Sequence, residues 1–471
     1  MRRRPKVIQA GMGVGVSSWL LANKCARSAD VQGTVSGVAA QDIVVRTLQR
    51  GDPGGDMRRA LAHFPVRHYA DLIVDKFYVE GGIPEDKKFR GYPVFTLTPS
   101  EELQRLMIIS GFVLVWLAKE GHDGVISVNY LEKIQMVHIY YILGAMLAGV
   151  DVITMGAGMI NQIPKLVDNI VAGVDPSYKV KVIGADEPAV ISYNPEKLFG
   201  QKLPIMKRPD ILAIVSSNVL AKSLMKSCPG GIDGFVIEYP IAGGHNAPPR
   251  KKGVFDDKGQ PIYAEAMGEK DWVDLEEFRG YGIPFWLAGG YASPEGLKKA
   301  LTEGASGIQV GSMFALCDDS GMLPELRNEA RMKGFKGELE VLRSMRSPTG
   351  YPFMVAELSG TLSDTLVYKD RERNCSICAL RDPKKLEDKI VYVCSSEPVD
   401  DFEKKGGKRE ETFEALCLCN ALLATIGLGN RGEPPVVTMG QDTSFLPHLM
   451  KDENDSYTAV DAIRYLLSSS R

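Results

Sequence analysis

Eight short apolar runs rich in β-branched residues, each followed by a helical stretch, predict an α/β chain: a TIM (β/α)8 barrel with insertions and a C-terminal, mostly helical subdomain. The runs are nearly unbroken rather than alternating, as parallel strands buried on both faces require. Small or polar residues recur just beyond them, at Gly11, Asn129, Gly156, Ser216, His245, Gly289 and Gly311, and a barrel brings all such carboxyl ends to one mouth. The expected domain plan is a barrel over residues 1–329 with insertions at about 51–100 and 178–200, then a second unit over 330–471.

The first strand, residues 6–9, leads through Ala10-Gly-Met-Gly-Val-Gly15 to a helix over 19–29 that Ser17 or Ser18 can cap. A second strand over 33–38 precedes a helix over 42–50. Gly51-Asp-Pro-Gly-Gly55 then breaks the alternation and opens a stretch rich in Pro, Gly and charge, expected as a lid or peripheral excursion. A helix over 101–119, a strand over 124–130, a helix over 134–148 and a strand over 151–155 restore the pattern. From 178 to 193 the period falls to two around a Gly-Ala-Asp-Glu-Pro turn, which reads as a hairpin insertion. Strands over 210–215, 234–239, 284–288 and 307–310 bring the number to eight.

Composition narrows the function. With 44% hydrophobic and 24% charged residues the chain has ample material for a core. A net charge of −3 gives no electrostatic reason to expect nucleic acid. Eight cysteines in 471 residues do not make a disulfide framework, which points to a reducing compartment. Met1-Arg-Arg-Arg-Pro5 is followed by Gly-rich and charged sequence rather than an apolar core, so no signal peptide is read. The longest apolar runs, 106–118 and 139–150, are too short to span a bilayer. The expectation is a cytoplasmic protein without membrane insertion.

The stretch richest in chemistry is Ile241-Ala-Gly-Gly-His-Asn-Ala-Pro-Pro-Arg250, directly after the buried run 234–239. Gly243 and Gly244 allow backbone to approach a flat or charged ligand, and His245 is the only histidine at a strand's carboxyl end. Gly289-Gly290 followed by Tyr291-Ala-Ser-Pro-Glu, and Gly311-Ser312 after the eighth strand, have the form of a barrel phosphate site, with Ser293 capping a helix that starts at Pro294. A Rossmann fingerprint at the first turn fails: Gly11, Gly13 and Gly15 have the wrong spacing, and Val16 stands where the third glycine belongs.

Gln9-Ala-Gly-Met-Gly13, Ile241-Ala-Gly-Gly-His-Asn246, Leu287-Ala-Gly-Gly290 and Ile308-Gln-Val-Gly-Ser312 occur in barrel order. Together they resemble the FMN-dependent nitronate monooxygenase family, formerly the 2-nitropropane dioxygenases, which includes FMN enoyl-acyl-carrier-protein reductases. His245-Asn-Ala-Pro-Pro-Arg250, Phe285-Trp-Leu-Ala-Gly-Gly-Tyr291, Gly51-Asp-Pro-Gly-Gly-Asp56 and Ser347-Pro-Thr-Gly-Tyr-Pro352 look like the trans-acting enoyl reductases of polyunsaturated-fatty-acid and polyketide synthases.

The resemblance implies bound FMN, with Gly11 and Met12 near the isoalloxazine, Asn129 contacting it, Gly243 and Gly244 beside the ring, and Gly289, Gly290, Gly311 and Ser312 as phosphate cradle. Gly13, Gly156 and Ser216 complete the candidate cofactor-binding set, and His245 matches the family's active-site histidine, read as general acid or base. Ser216 departs from some nitronate-oxidising members. The implied reaction is reduction of the enoyl double bond of a carrier-protein-bound acyl chain by NAD(P)H, with an acyl carrier protein or synthase as partner. The alternatives are a nitronate monooxygenase using FMN and O2, and a non-catalytic barrel component of a synthase complex. Oligomeric state stays open. Cys375-Ser-Ile-Cys378, Cys394 and Cys417-Leu-Cys419 raise a zinc or iron–sulfur reading, but C-x-C is a poor half-site and no histidine pair accompanies it, so no metal is expected.

Overall fold

The computed structural model describes residues 4–156, 158–245, 255–256, 262, 272–343, 345, 347–413 and 415–468; residues 246–250 of the histidine motif lie outside the described residues. Eight strands form a closed barrel: β1 (Val7–Gln9), β2 (Val31–Ser36), β3 (Ile126–Leu131), β4 (Val152–Gly156), β5 (Asp210–Val215), β6 (Gly234–Glu238), β7 (Phe285–Ala288) and β8 (Gly307–Val310). Each strand pairs in parallel with its sequence neighbour in the ring, and β1 closes it against both β2 and β8, with Val7 opposite Val31 on one side and Ile308 on the other. Parallel neighbours need crossovers, and helices supply them.

The side chains alternate as the pleat demands. Ile8, Val152, Leu212, Val236, Trp286 and Ala288 form one buried cluster, while Val7, Ile153, Ile211, Phe235, Ile237 and Leu287 join the larger core shared with the helices. The Trp286 indole N–H, buried among apolar groups, donates to the Pro5 carbonyl at 2.8 Å. The helix Trp19–Ala26 is capped by Ser18, whose Oγ accepts the Leu21 N–H at 3.1 Å.

β2 starts two residues earlier than the composition suggests, because Gly33 is an interior strand residue rather than a strand start. A Cβ there would lie 2.0 Å from the Ala22 carbonyl oxygen, so the glycine is what lets the first helix lie close on the sheet. The same device brings the helices Glu101–Lys119 and His138–Leu147 together: Gly111 faces the Tyr141 carbonyl and Gly144 the Ile108 carbonyl.

The segment after Gln49 carries the helices Asp56–Leu61 and Arg67–Phe77 and then runs through turns and irregular backbone to Ser100. It packs at the side of the barrel. Tyr92 meets Gln41 at 2.7 Å, the Leu97 N–H donates to the Tyr392 hydroxyl, and Phe89 reaches Asn430. The hairpin Ser177–Val180/Ala189–Ser192 is antiparallel, as its alternation foretells.

Beyond residue 330 short helices outnumber strands among the described residues, and strands Phe353–Ala356, Asp382–Leu386 and Lys389–Val393 accompany them. The last helix, Ala459–Leu466, buries Ala462, Ile463 and Leu466 and packs on the first helix. Tyr457 anchors its start by donating to the Met313 carbonyl at 2.7 Å. No helix among the described residues is long and apolar enough to cross a membrane.

Replacing Gly144 by Ala puts a Cβ 2.0 Å from the Ile108 carbonyl oxygen. The helices must separate, and the expected loss is about 1–3 kcal/mol despite alanine's better helix propensity. Gly91→Ala, where nothing lies within 4 Å, is the neutral control. Denaturant unfolding of both variants checks the pair; equal midpoints would contradict the close helix contact.

Candidate active site

The carboxyl ends of the strands open into a cavity of about 240 Å³. Gly11, Met12 and Gly13 line it from the loop after β1, Asn129 from β3, Gly156 from β4, and Gly243, Gly244 and His245 from the loop after β6. Gly289 and Gly290 follow β7, and Gly311 and Ser312 follow β8. Twelve of the thirteen residues singled out in the sequence therefore share one cavity. Ser216 is the exception: it lies half-buried beyond β5, and Ile214 is the lining residue there.

The structure revises what some of these residues face. Gly243 was expected to leave room for a ligand; the space its Cβ would fill is taken by the backbone of Met439 and Gly440, 2.6–2.7 Å away. The Ser312 hydroxyl accepts the Gly440 N–H at 2.9 Å, so it too is engaged by the C-terminal segment. Gly289 and Gly290 adopt φ of +89° and +81°, a region closed to most side chains, which turns the chain sharply at the cavity edge. Ser293 accepts the Gly296 N–H at 2.9 Å and caps the helix Pro294–Thr302.

Asn129 is the telling wall residue. Its Nδ2 reaches the Gly11 carbonyl only at 3.5 Å, and its Oδ1 is buried without a hydrogen-bond partner. A Cβ on Gly11 would collide with the Asn129 side chain at 2.1 Å, so the glycine places this amide at the cavity. No lysine or arginine lines the cavity among the described residues, which leaves backbone N–H groups to meet an anion.

His245 does not sit on a barrel strand. β6 ends at Glu238, and His245 belongs to the short strand Gly244–His245, antiparallel to Phe353–Ala356 with His245 opposite Phe353. The Thr438 hydroxyl fixes this strand, accepting the Gly244 N–H at 3.0 Å and donating to the Met354 carbonyl at 2.7 Å. The imidazole packs edge-on to Phe353 at 5.0 Å between centroids, and its Nε2 is 2.7 Å from the Ser347 hydroxyl. Ser347 is itself buried and held by Thr349, through its hydroxyl at 2.8 Å and its N–H at 3.2 Å.

Burial, with the Lys133 ammonium adding to it, pushes His245 down to about 4, so the ring is neutral at pH 7. Burial acts oppositely on Glu238, which lines the same cavity: its carboxyl is raised to about 7. The sequence reading passed over Glu238, although it is the one acid in the apolar run of β6. It also passed over Met439, Gly440 and Phe445, which line the cavity from far along the chain.

Residues 158–346 match the family model described as nitronate monooxygenase. A Mycobacterium tuberculosis protein named (3aS,4S,5R,7aS)-5-hydroxy-7a-methyl-1-oxo-octahydro-1H-indene-4-carboxyl-CoA dehydrogenase is 27% identical over 261 residues, covering 55% of this chain and 67% of its own. A Pseudomonas aeruginosa nitronate monooxygenase is 34% identical over 129 residues, 26% of this chain and 32% of that relative. The solved structure of FabK from Thermotoga maritima aligns with a TM-score of 0.47 at 14% identity, over 99% of this chain and 92% of that one. The family match over residues 158–346 and the two relatives make the chain similar to the nitronate monooxygenase family, and support an oxidoreductase built on a closed parallel barrel.

Proposed function

We propose that the chain is an FMN-dependent reductase of enoyl thioesters, taking its substrate from an acyl carrier protein or synthase and its reducing equivalents from NAD(P)H. The observation that carries the flavin reading is the buried, unpartnered Oδ1 of Asn129 at the wall of a glycine-lined cavity, an acceptor that a planar N–H-bearing ring would satisfy. Gly289, Gly290 and Gly311 would hold the phosphate through backbone N–H groups. The thioester reading draws support from the Mycobacterium relative, whose name specifies a carboxyl-CoA substrate.

FMN, when bound, carries hydride or single electrons. The protein must then hold the thioester carbonyl and bring a proton to the α-carbon. A neutral His245, with Nε2 held by Ser347, leaves Nδ1 for the carbonyl oxygen, where negative charge develops. Glu238, raised to about 7, is matched to give up the proton near neutral pH. The second reading, oxidation of alkyl nitronates with FMN and O2, is favoured by the Pseudomonas relative of that name. Anaerobic turnover of an enoyl thioester with NAD(P)H, set beside oxygen uptake with an alkyl nitronate, separates the two.

Heating the purified protein should release stoichiometric FMN. Gly290→Asp, which forces a Cβ to 2.8 Å from Ile241 and places a charge at the cradle, should yield flavin-free protein with its far-ultraviolet dichroism intact. Wild-type protein without flavin would end this reading.

His245→Ala should keep FMN, slow the half-reaction with the enoyl thioester by roughly 10²–10³-fold, and slow flavin reduction by NAD(P)H far less. Stopped-flow measurement of each half-reaction checks this, and equal losses in both would make His245 a flavin-positioning residue.

The pH dependence follows from Glu238. The protonated carboxyl is the donor, so kcat/KM should fall as pH rises through about 7, and Glu238→Gln should remove that limb while lowering the plateau. A limb that survives the substitution assigns the proton to another group.

A further inference from the structure

Away from the barrel chemistry, the C-terminal region gathers two cysteines around the sulfur of a third. Cys375 and Cys378 form a C-x-x-C pair whose Sγ atoms lie 3.7 Å apart, and the Cys378 thiol is also 3.0 Å from the Cys375 carbonyl. Cys378 turns the chain in the left-handed region, at φ +61°, which folds it back toward its partner. Cys394 and the Arg381 guanidinium act electrostatically on the same sulfur. Arg381 is fixed in turn by buried Glu397 at 3.2 Å.

These surroundings make the three thiols unequal. The neighbouring Cys378 and Cys394 thiols, with the Arg381 guanidinium adding to them, hold Cys375 below the ordinary thiol range. The proximity of Cys375, together with burial, pushes Cys378 and Cys394 up. Cys375 is partly buried whereas Cys378 and Cys394 are buried, so Cys375 is the least enclosed of the three residues. Among the described residues no group of three or more His, Cys, Asp or Glu is arranged to hold a metal ion.

We propose that Cys375 and Cys378 form a peroxide-reactive dithiol, with Cys375 as the attacking and Cys378 as the resolving sulfur. The Cys375 thiolate attacks one oxygen of a hydroperoxide: an S–O bond forms, the O–O bond breaks, and the leaving oxygen takes a proton from solvent and departs as alcohol or water. Cys375 is thereby oxidised to a sulfenic acid. The Cys378 sulfur then attacks it, an S–S bond forms, the S–O bond breaks, and hydroxide leaves with the Cys378 proton as water. Two thiols and one hydroperoxide thus become a disulfide, an alcohol and water. The bridge closes at the cavity's edge, since Ala379 and Leu380, directly after Cys378, line the wall together with Cys419.

The test uses the full-length chain, reduced, freed of reductant under argon, and exposed to a few equivalents of hydrogen peroxide before alkylation and peptide mapping. The expected result is a mass loss of two hydrogens, residues 375 and 378 unalkylated and cross-linked, and full recovery with dithiothreitol. Cys378→Ser should stop at a sulfenic acid on Cys375 that dimedone traps, and Cys375→Ser should lose both products. Unchanged alkylation of Cys375 in the wild type after peroxide, or a different cysteine reacting first, would overturn the proposal. Stoichiometric zinc or iron in the purified protein, removed by a chelator with release of these thiols, would overturn it equally.

Discussion

Closure of the barrel through β1 is the constraint on which the mouth depends. This strand has only three residues, yet it must bond to β8 on one side and β2 on the other. Gln9 makes the closure possible. Its side chain is fully buried, its Oε1 accepts the Thr34 N–H at 2.8 Å, and its Nε2 reaches the Ser17 hydroxyl at 2.8 Å and the Ala10 carbonyl. Ser17 donates to the Ala10 carbonyl and accepts the Met12 N–H, so one amide and one hydroxyl pin the loop that carries Gly11 and Met12. Without that loop in place, Asn129 would lose the neighbour that positions its amide.

The C-terminal region is part of the site rather than an appendage. His245 is aligned by a strand more than a hundred residues away, Gly244 is bonded to Thr438 across 194 residues, and Gly243 packs on the backbone at Met439. Ser347, the hydroxyl on the His245 ring, falls one residue past the end of the family match. The shared barrel brings the histidine to the mouth, and a segment outside the matched span decides which ring nitrogen remains available.

One physical effect sets the charge state of the cavity. Desolvation disfavours whichever form is charged, so it lowers the base His245 and raises the acid Glu238. Both groups are drawn toward neutrality at neutral pH, in a cavity that no lysine or arginine lines among the described residues. A site of this kind suits reactions in which charge appears only transiently, because a fixed N–H or carboxyl is worth more there than in water.

How much of this was legible beforehand follows from the range over which each feature is decided. The eight barrel strands, the first helix cap and the hairpin insertion depend on periodicity and turn residues within a dozen positions, and all can be read from the chain alone. The convergence of the glycine loops and His245 on one cavity was legible too, because a parallel barrel sends every carboxyl end the same way. Ser216 is not among the lining residues, because lying beyond a strand does not decide which side chains of the following turn face inward. The neutral His245, the raised Glu238, the Ser347 contact and the filling of the Gly243 notch by Met439 and Gly440 were beyond the sequence. Local pattern specifies strands and turns, but burial and partners are set by segments a hundred or more residues apart, and only the tertiary structure brings those together.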